Sequence, residues 1–363
     1  MEQRKPRGRD LGLPFPGTPG PFNAITDVTG VEVGTVTLIA GDGPLIAGKG
    51  PVRTGVTAIL PRGRDRAHIP CAAGYFALNG NGEMTGVAWI EEAGELQTPI
   101  TITNTHSCGV TRDATIRWLV ARGIGTGQDW GLPVAAETYD GDLNDINGFH
   151  VTAEHTFEAL DTARGGPVEM GSVGGGTGMI TYDFKAGNGS ASRRVSIGGE
   201  TYVVGVFVQS NFGRREDFTV LGVPAGQHIR HAKLRGKDHG SVIAIVATDA
   251  PLLPHHLKRL ARRVPMGLAR TGTVANNSSG DIFLAFSTAN EEAYAAHDAA
   301  AVTLTSLPNG SLDDLFRATV EATEEAVLDS MIVNETMTGR DGNRSIALPH
   351  DELIAVMRKY GRM

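Results

Sequence analysis

Runs rich in β-branched residues and bounded by Gly or Pro predict strands at GVEVGTVTLI (30–39), GVTAILP (55–61), GVAWIEEAG (86–94) and PITITNT (99–105). Apolar positions three to four apart predict helices over VTRDATIRWLVARG (110–123) and HVTAEHTFEALDTARGG (150–166), each stopped by glycine. The stretch 176–213 is mostly strand-like and ends in TYVVGVFVQSNFG. An unbroken apolar run, SVIAIVATDA (241–250), predicts a buried strand over 241–248. A helix near 252–263 follows, then the strand DIFLAFST (281–288). SLDDLFRATVEATEEAVLDSMI (311–332) predicts a long helix, with Ser311 as its N-cap and Asp314 at the third helical position. HDELIAVMRKYG (350–361) predicts the last one. Strands and helices do not alternate strictly, which argues against a Rossmann or TIM fold and for α+β. The first 25 residues, rich in Pro and Gly, predict an extended arm.

Composition narrows the function classes. A chain of 363 residues can bury a large core. Its net charge of −7 gives no basic field for nucleic acid, and no nucleic-acid partner is expected. The N-terminal MEQRKPRGRD is basic but lacks a following apolar segment, so it predicts a frayed arm rather than a signal peptide. No apolar run approaches the roughly 18 residues of a membrane span, so no membrane partner is expected either. LKRLARR (257–263) carries Leu257, Leu260 and Ala261 on one face and reads as a solvated amphipathic helix. The two cysteines, Cys71 and Cys108, are too few for a disulfide framework, and a reducing, cytoplasmic home fits them. The eleven histidines form no zinc-binding pattern, and Asp140, Asp142 and Asp145 lack EF-hand order. Neither metal nor cofactor is expected.

The chemistry concentrates at Gly240-Ser241, between the basic stretch AKLRGKDHG (232–240) and the apolar strand. The stretch 228–240 is polar enough to be an exposed linker, with His239 one of its residues. A cut after Gly240 would give Ser241 a free α-amine beside its hydroxyl. Such an amine titrates near pH 7.7–8.0, so nucleophile and base would share one residue. A Gly-Ser pair before a strand is also an ordinary turn. GSVGGGTGM (171–179) lacks the Lys-Ser/Thr ending of a phosphate loop and reads as a glycine turn passing close to the substrate pocket. Asn79 and Asn104 sit at strand ends and read as turn caps, with pocket lining the alternative.

Five blocks carry a family resemblance. They are AETYDGDLNDINGFHV (136–151), GSVGGGTGM (171–179), VQSNFGRR (208–215), GSVIAIVATDAPLLPHHLKRLARR (240–263) and NSSGDIFLAFSTAN (277–290). In this order and spacing the chain resembles the L-aminopeptidase D-Ala-esterase/amidase (DmpA) family and its β-aminopeptidase relatives, from residue 13 onward. The resemblance implies a four-layer αββα sandwich. It implies one catalytic domain, 1–363, that cleaves itself into 1–240 and 241–363. It implies an N-terminal-nucleophile aminopeptidase or amidase acting on short peptides, amides or esters with a free amino terminus, and a homotetramer of α/β units.

The resemblance also implies residue roles. Ser241 is the nucleophile and Asn211 an oxyanion donor, although Asn in QSNFG is equally a turn residue. Ser279 and Asp281 flank the N-terminal serine; the acid is Glu in some members, one methylene longer. Glu137 holds the substrate's ammonium, and the Tyr139 phenol lies near the reacting carbonyl. Two alternatives stand beside this reading. One is an acyltransferase or general amide hydrolase of the same fold, such as the ornithine acetyltransferases, whose threonine nucleophile Ser241 does not match. The other is an unprocessed, non-catalytic binding protein.

Overall fold

The computed structural model describes residues 5–123, 130–235, 240–296 and 299–363. The chain first forms β1 (Glu32–Ala40), β2 (Val52–Leu60), β3 (Cys71–Gly80), α1 (Val87–Ala93), β4 (Glu95–Leu96) and β5 (Ile100–Asn104). Then come α2 (Cys108–Ala121), β6 (Val134–Thr138), α3 (Ala153–Asp161), the short pair β7 (Ile180–Thr181) and β8 (Phe184–Lys185), β9 (Asn188–Ile197) and β10 (Glu200–Asn211). The last part holds β11 (Ser241–Thr248), α4 (Pro254–Ala261), α5 (Val264–Arg270), β12 (Gly280–Ser287), α6 (Glu291–Ala295), α7 (Asp313–Ile332), the pair β13 (Met337–Thr338) and β14 (Arg344–Ser345), and α8 (His350–Lys359).

Two sheets stack at the centre. One runs β1-β2-β5-β6, the other β4-β3-β12-β11-β10-β9. Ile59, Ile102 and Val134 of the first meet Phe207, Ile243 and Ile282 of the second. On the outer side of the four-stranded sheet, Val56, Ala58 and Leu60 pack against Trp118 of α2 and Leu160 of α3. On the outer side of the six-stranded sheet, Val206, Ala244 and Phe283 pack against Leu257, Leu268 and Met331 of α4, α5 and α7. These are the four layers, α-β-β-α, that the resemblance implied. β11 is buried along all eight residues because layers cover both its faces, which is why its sequence is apolar without alternation.

Several expectations are corrected. GVAWIEEAG (86–94) is not a strand: it forms α1, closed at both ends by the left-handed glycines Gly86 and Gly94. Ser311 does not cap the long helix. It ends a 3-10 turn, and α7 starts at Asp313 with acidic Asp313 and Asp314 complementing the helix dipole. The N-terminal arm is not frayed from Lys5 onward. Asp329 and Glu325 of α7 are buried carboxylates, and Arg7 and Arg9 pair with them at 2.7 and 2.8 Å. Leu13 and Phe15 enter the core behind those pairs. The 228–240 stretch is not simply an exposed linker either, since Ile229 and Arg235 are buried. Residues 236–239, His239 among them, lie outside the described residues.

Candidate active site

The register of the six-stranded sheet lines up four residues at one end of it. Ser241 opens β11 and opposes Asn211, the last residue of antiparallel β10. On its other side Ser241 opposes Gly280, the first residue of parallel β12, and Gly280 opposes Gly80 at the end of β3. Gly280 has no substitute here: a Cβ would lie 2.3 Å from the Asn81 carbonyl oxygen. Strand alternation sends Ile243 and Ile245 between the sheets, and Ser241 shares their face. That face looks toward the end of β6, where Glu137 and Tyr139 sit.

A cleft of about 670 Å³ opens there, lined by Gly80–Glu83, Thr105, Glu137, Tyr139, Asp142, Gly240, Ser241 and Ser278. Ser241 is only 4% exposed, and its Oγ makes no hydrogen bond among the described residues. A buried hydroxyl without a partner costs stability, and a catalytic role is one reason such an exception is kept.

Asn211 is fully buried. Its Oδ1 accepts from Ile180 N (3.0 Å) and Arg235 Nη2 (2.9 Å), and its Nδ2 donates to Tyr139 O (2.8 Å). Two donors on Oδ1 fix the orientation of the amide. One of the two Nδ2 hydrogens is then engaged by Tyr139 and the second is left for another acceptor.

Glu137 Oε1 accepts from Glu83 N at 2.9 Å, and Oε2 accepts from the Thr105 hydroxyl. Burial raises its pKa above the ordinary carboxyl value, while those two hydrogen bonds oppose the rise. The Tyr139 phenol is also raised, first by burial and next by the Asp142 charge, so it stays a donor at neutral pH. Glu83, Glu137 and Asp142 make the cleft acidic; of these, Asp142 is paired with Arg235.

Ser279 and Asp281 come together, but not in the cleft. Ser279 Oγ donates to Asp281 Oδ1 at 2.6 Å, and Asn79 Nδ2 donates to Asp281 Oδ2 at 3.2 Å. Asp281 opposes Val242 and lines a separate, apolar cavity behind β11. The neighbouring Ser278, not Ser279, lines the cleft. Asn104 caps its turn, accepting from His106 N and Ser107 N, and lies outside the cleft lining with Asn79. The glycine turn 174–176 also stays out of the cleft; it packs on the four-stranded sheet, where Thr37 and Thr57 accept from its amides.

Among the described residues, no group of three or more His, Cys, Asp or Glu side chains could hold a metal ion. Sequence reasoning missed Glu83, Thr105 and Arg235 at this site. Thr105 closes the strand-like TITNT run and gave no other signal, and Arg235 was absorbed into a basic linker.

A family model for peptidase family S58 matches residues 23–345. The β-peptidyl aminopeptidase BapA of Sphingosinicella microcystinivorans is 49% identical over 99% of this chain and 93% of its own length. The L-aminopeptidase D-Ala-esterase/amidase of Ochrobactrum anthropi, described as a prototype for the serine aminopeptidases and a variant of the Ntn-hydrolase fold, superposes with a TM-score of 0.93 at 48% identity, covering 99% of both chains. A β-aminopeptidase from Burkholderia sp. superposes with a TM-score of 0.89 at 45% identity, covering 98% of this chain and 99% of that one. With its fold, its serine-headed strand and these relatives in agreement, the chain belongs to peptidase family S58 and is a serine aminopeptidase of the Ntn-hydrolase type.

Proposed function

We propose that the chain is one domain that cuts itself between Gly240 and Ser241, and that the 1–240 and 241–363 fragments stay together as the working enzyme. The observation that carries this is Ser241 Oγ, buried, without a hydrogen bond among the described residues, and facing a cleft that also holds Glu137. In hydrolysis the Ser241 hydroxyl attacks the substrate carbonyl and its proton passes to the α-amine of the same residue. The tetrahedral oxygen takes hydrogen bonds from Asn211 Nδ2 and the Tyr139 phenol. The leaving amine takes the proton, and water then hydrolyses the acyl-serine ester. Glu137 holds the substrate's ammonium. Asp281, on the far face of the strand with Ser279, acts on the strand's leading nitrogen rather than on the hydroxyl.

The substrates are short peptides, amides or esters with a free amino terminus. They extend to β-amino residues, the class named for the Sphingosinicella relative. A homotetramer of α/β units, as the family resemblance implies, and a cytoplasmic setting, which suits the free, buried Cys71 and Cys108, complete the proposal. Gel filtration tests the assembly. Intact mass and denaturing electrophoresis test the cut: active material should give fragments ending at Gly240 and beginning at Ser241. A single full-length band with full activity would overturn the proposal. Hydrolysis of the p-nitroanilides of Gly, L-Ala, D-Ala and β-Ala then defines the range.

A further inference from the structure

Arg235 is the last described residue before residues 236–239, and it does not behave as part of a linker. Its side chain is 5% exposed. Nε donates to Asp142 Oδ2 at 2.5 Å, Nη1 to Ile180 O at 3.1 Å and Nη2 to Asn211 Oδ1 at 2.9 Å. Its backbone N donates to Asp183 Oδ1 at 3.0 Å. The guanidinium fork thus ties a carboxylate of the cleft wall to the amide that opposes Ser241.

From this geometry we infer that Arg235 is a positioning residue: it holds and polarises the Asn211 amide so that the free Nδ2 hydrogen points at the oxygen of the reacting carbonyl. Three facts converge. With Ile180 N also on Oδ1, a flipped amide would set its NH₂ against two donors, so Arg235 helps fix one orientation. Donation to Oδ1 withdraws electron density from Nδ2, which strengthens its N–H as a donor in a low-dielectric site. Asp142 balances the guanidinium charge, so the cation can stay buried beside the site. Lysine could keep the charge but could not reach three acceptors in one plane.

The inference rests on the proposed oxyanion role of Asn211, and the test separates the two. Arg235→Gln and Arg235→Lys are made alone and combined with Asn211→Ala. Their kcat and KM for a free-amine p-nitroanilide are measured per mole of cleaved enzyme, counted on a denaturing gel. Each single Arg235 variant is expected to lose about tenfold or more in kcat with KM within about twofold, because only transition-state stabilisation is touched. Each combined variant is expected to be no slower than Asn211→Ala alone, since both changes remove one interaction. Full kcat in both Arg235 variants, or losses that multiply in the combined ones, overturns the positioning role and leaves Asn211 in place. Full kcat in Asn211→Ala overturns the oxyanion reading, and the Arg235 role with it. If Arg235→Gln fails to fold, Arg235→Lys carries the same test with the charge retained.

Discussion

Asn211 and Ser241 stand directly opposite one another, the last residue of β10 against the first of β11. Side chains so paired begin about 4.5–5.5 Å apart at Cβ. The ladder of a buried central pair of strands sets that spacing, not a loop. The backbone positions that carry the hydroxyl and the amide are therefore set by the sheet.

Ser241→Ala is expected to stop both self-cleavage and hydrolysis, because the proposed mechanism assigns both acyl transfers to one hydroxyl. The variant should fold, since the lost oxygen makes no hydrogen bond among the described residues. Electrophoresis checks it: two fragments from this variant would remove Ser241 as the processing nucleophile.

Glu137→Gln tests the ammonium site. N-acetylated substrates should react poorly with the parent enzyme, since blocking the amine leaves a buried carboxylate unpaired, a loss of about 2–5 kcal/mol. The glutamine variant should raise KM for free amines and narrow the gap to blocked substrates. Its self-cleavage should proceed, because no external ammonium takes part. Equal rates of the parent on free and blocked substrates would defeat this role.

Asp281→Asn keeps the shape of the Ser279 hydrogen bond but removes the charge proposed to hold the α-amine. Hydrolysis in the variant should fall, and because a carboxylate favours the protonated form of a neighbouring amine, its loss should move the rising limb of the pH profile to lower pH. An unchanged profile with unchanged kcat would leave Asp281 a structural turn residue.

Asp140, two residues before the cleft's Asp142, is expected to make stability depend on pH. It is buried and Oδ2 has no hydrogen bond among the described residues; burial pushes its pKa up to about 7, against the pull of Thr54 and Asn144. The folded carboxyl keeps its proton up to that pH, whereas the unfolded one loses it near about 3.9. Folded protein thus binds more protons across that window, so stability falls as pH rises through it and levels above about 7. Asp140→Asn removes this titration. Its thermal midpoint should gain about 2–4 °C on the parent at about pH 8 relative to about pH 5. Parallel curves would show that Asp140 does not carry the slope.

What could be read from the sequence was what local chemistry decides. The apolar run at 241–248 gave β11 to the residue, and the periodicity of 110–123 gave α2 within two residues at each end. Leu257, Leu260 and Ala261 are buried as their helical spacing required. What escaped depends on partners far along the chain. Arg7 and Arg9 looked like a solvated basic tail because their acids lie more than 300 residues away on α7. Cys71–Gly80 went unnoticed as a strand, though β12 pairs with it along the whole length of β12. Glu83 enters the site only because the turn after β3 brings its amide to Glu137.

The order of the six-stranded sheet has a last consequence. β11 and β12, both after Ser241, lie side by side between β3 and β10, which both come before it. A cut at Gly240 would leave the later strands wedged into a sheet whose remaining strands belong to the other piece. Pulled apart, each piece would bare long strand edges and half a core, a state prone to aggregation. Reassembly would depend on two chains meeting, so its rate would fall with dilution, unlike that of the uncut precursor. The proposed enzyme would then be made once, from the intact chain, and heat or denaturant would end it without return: its lifetime would be set by the height of the unfolding barrier, not by an equilibrium.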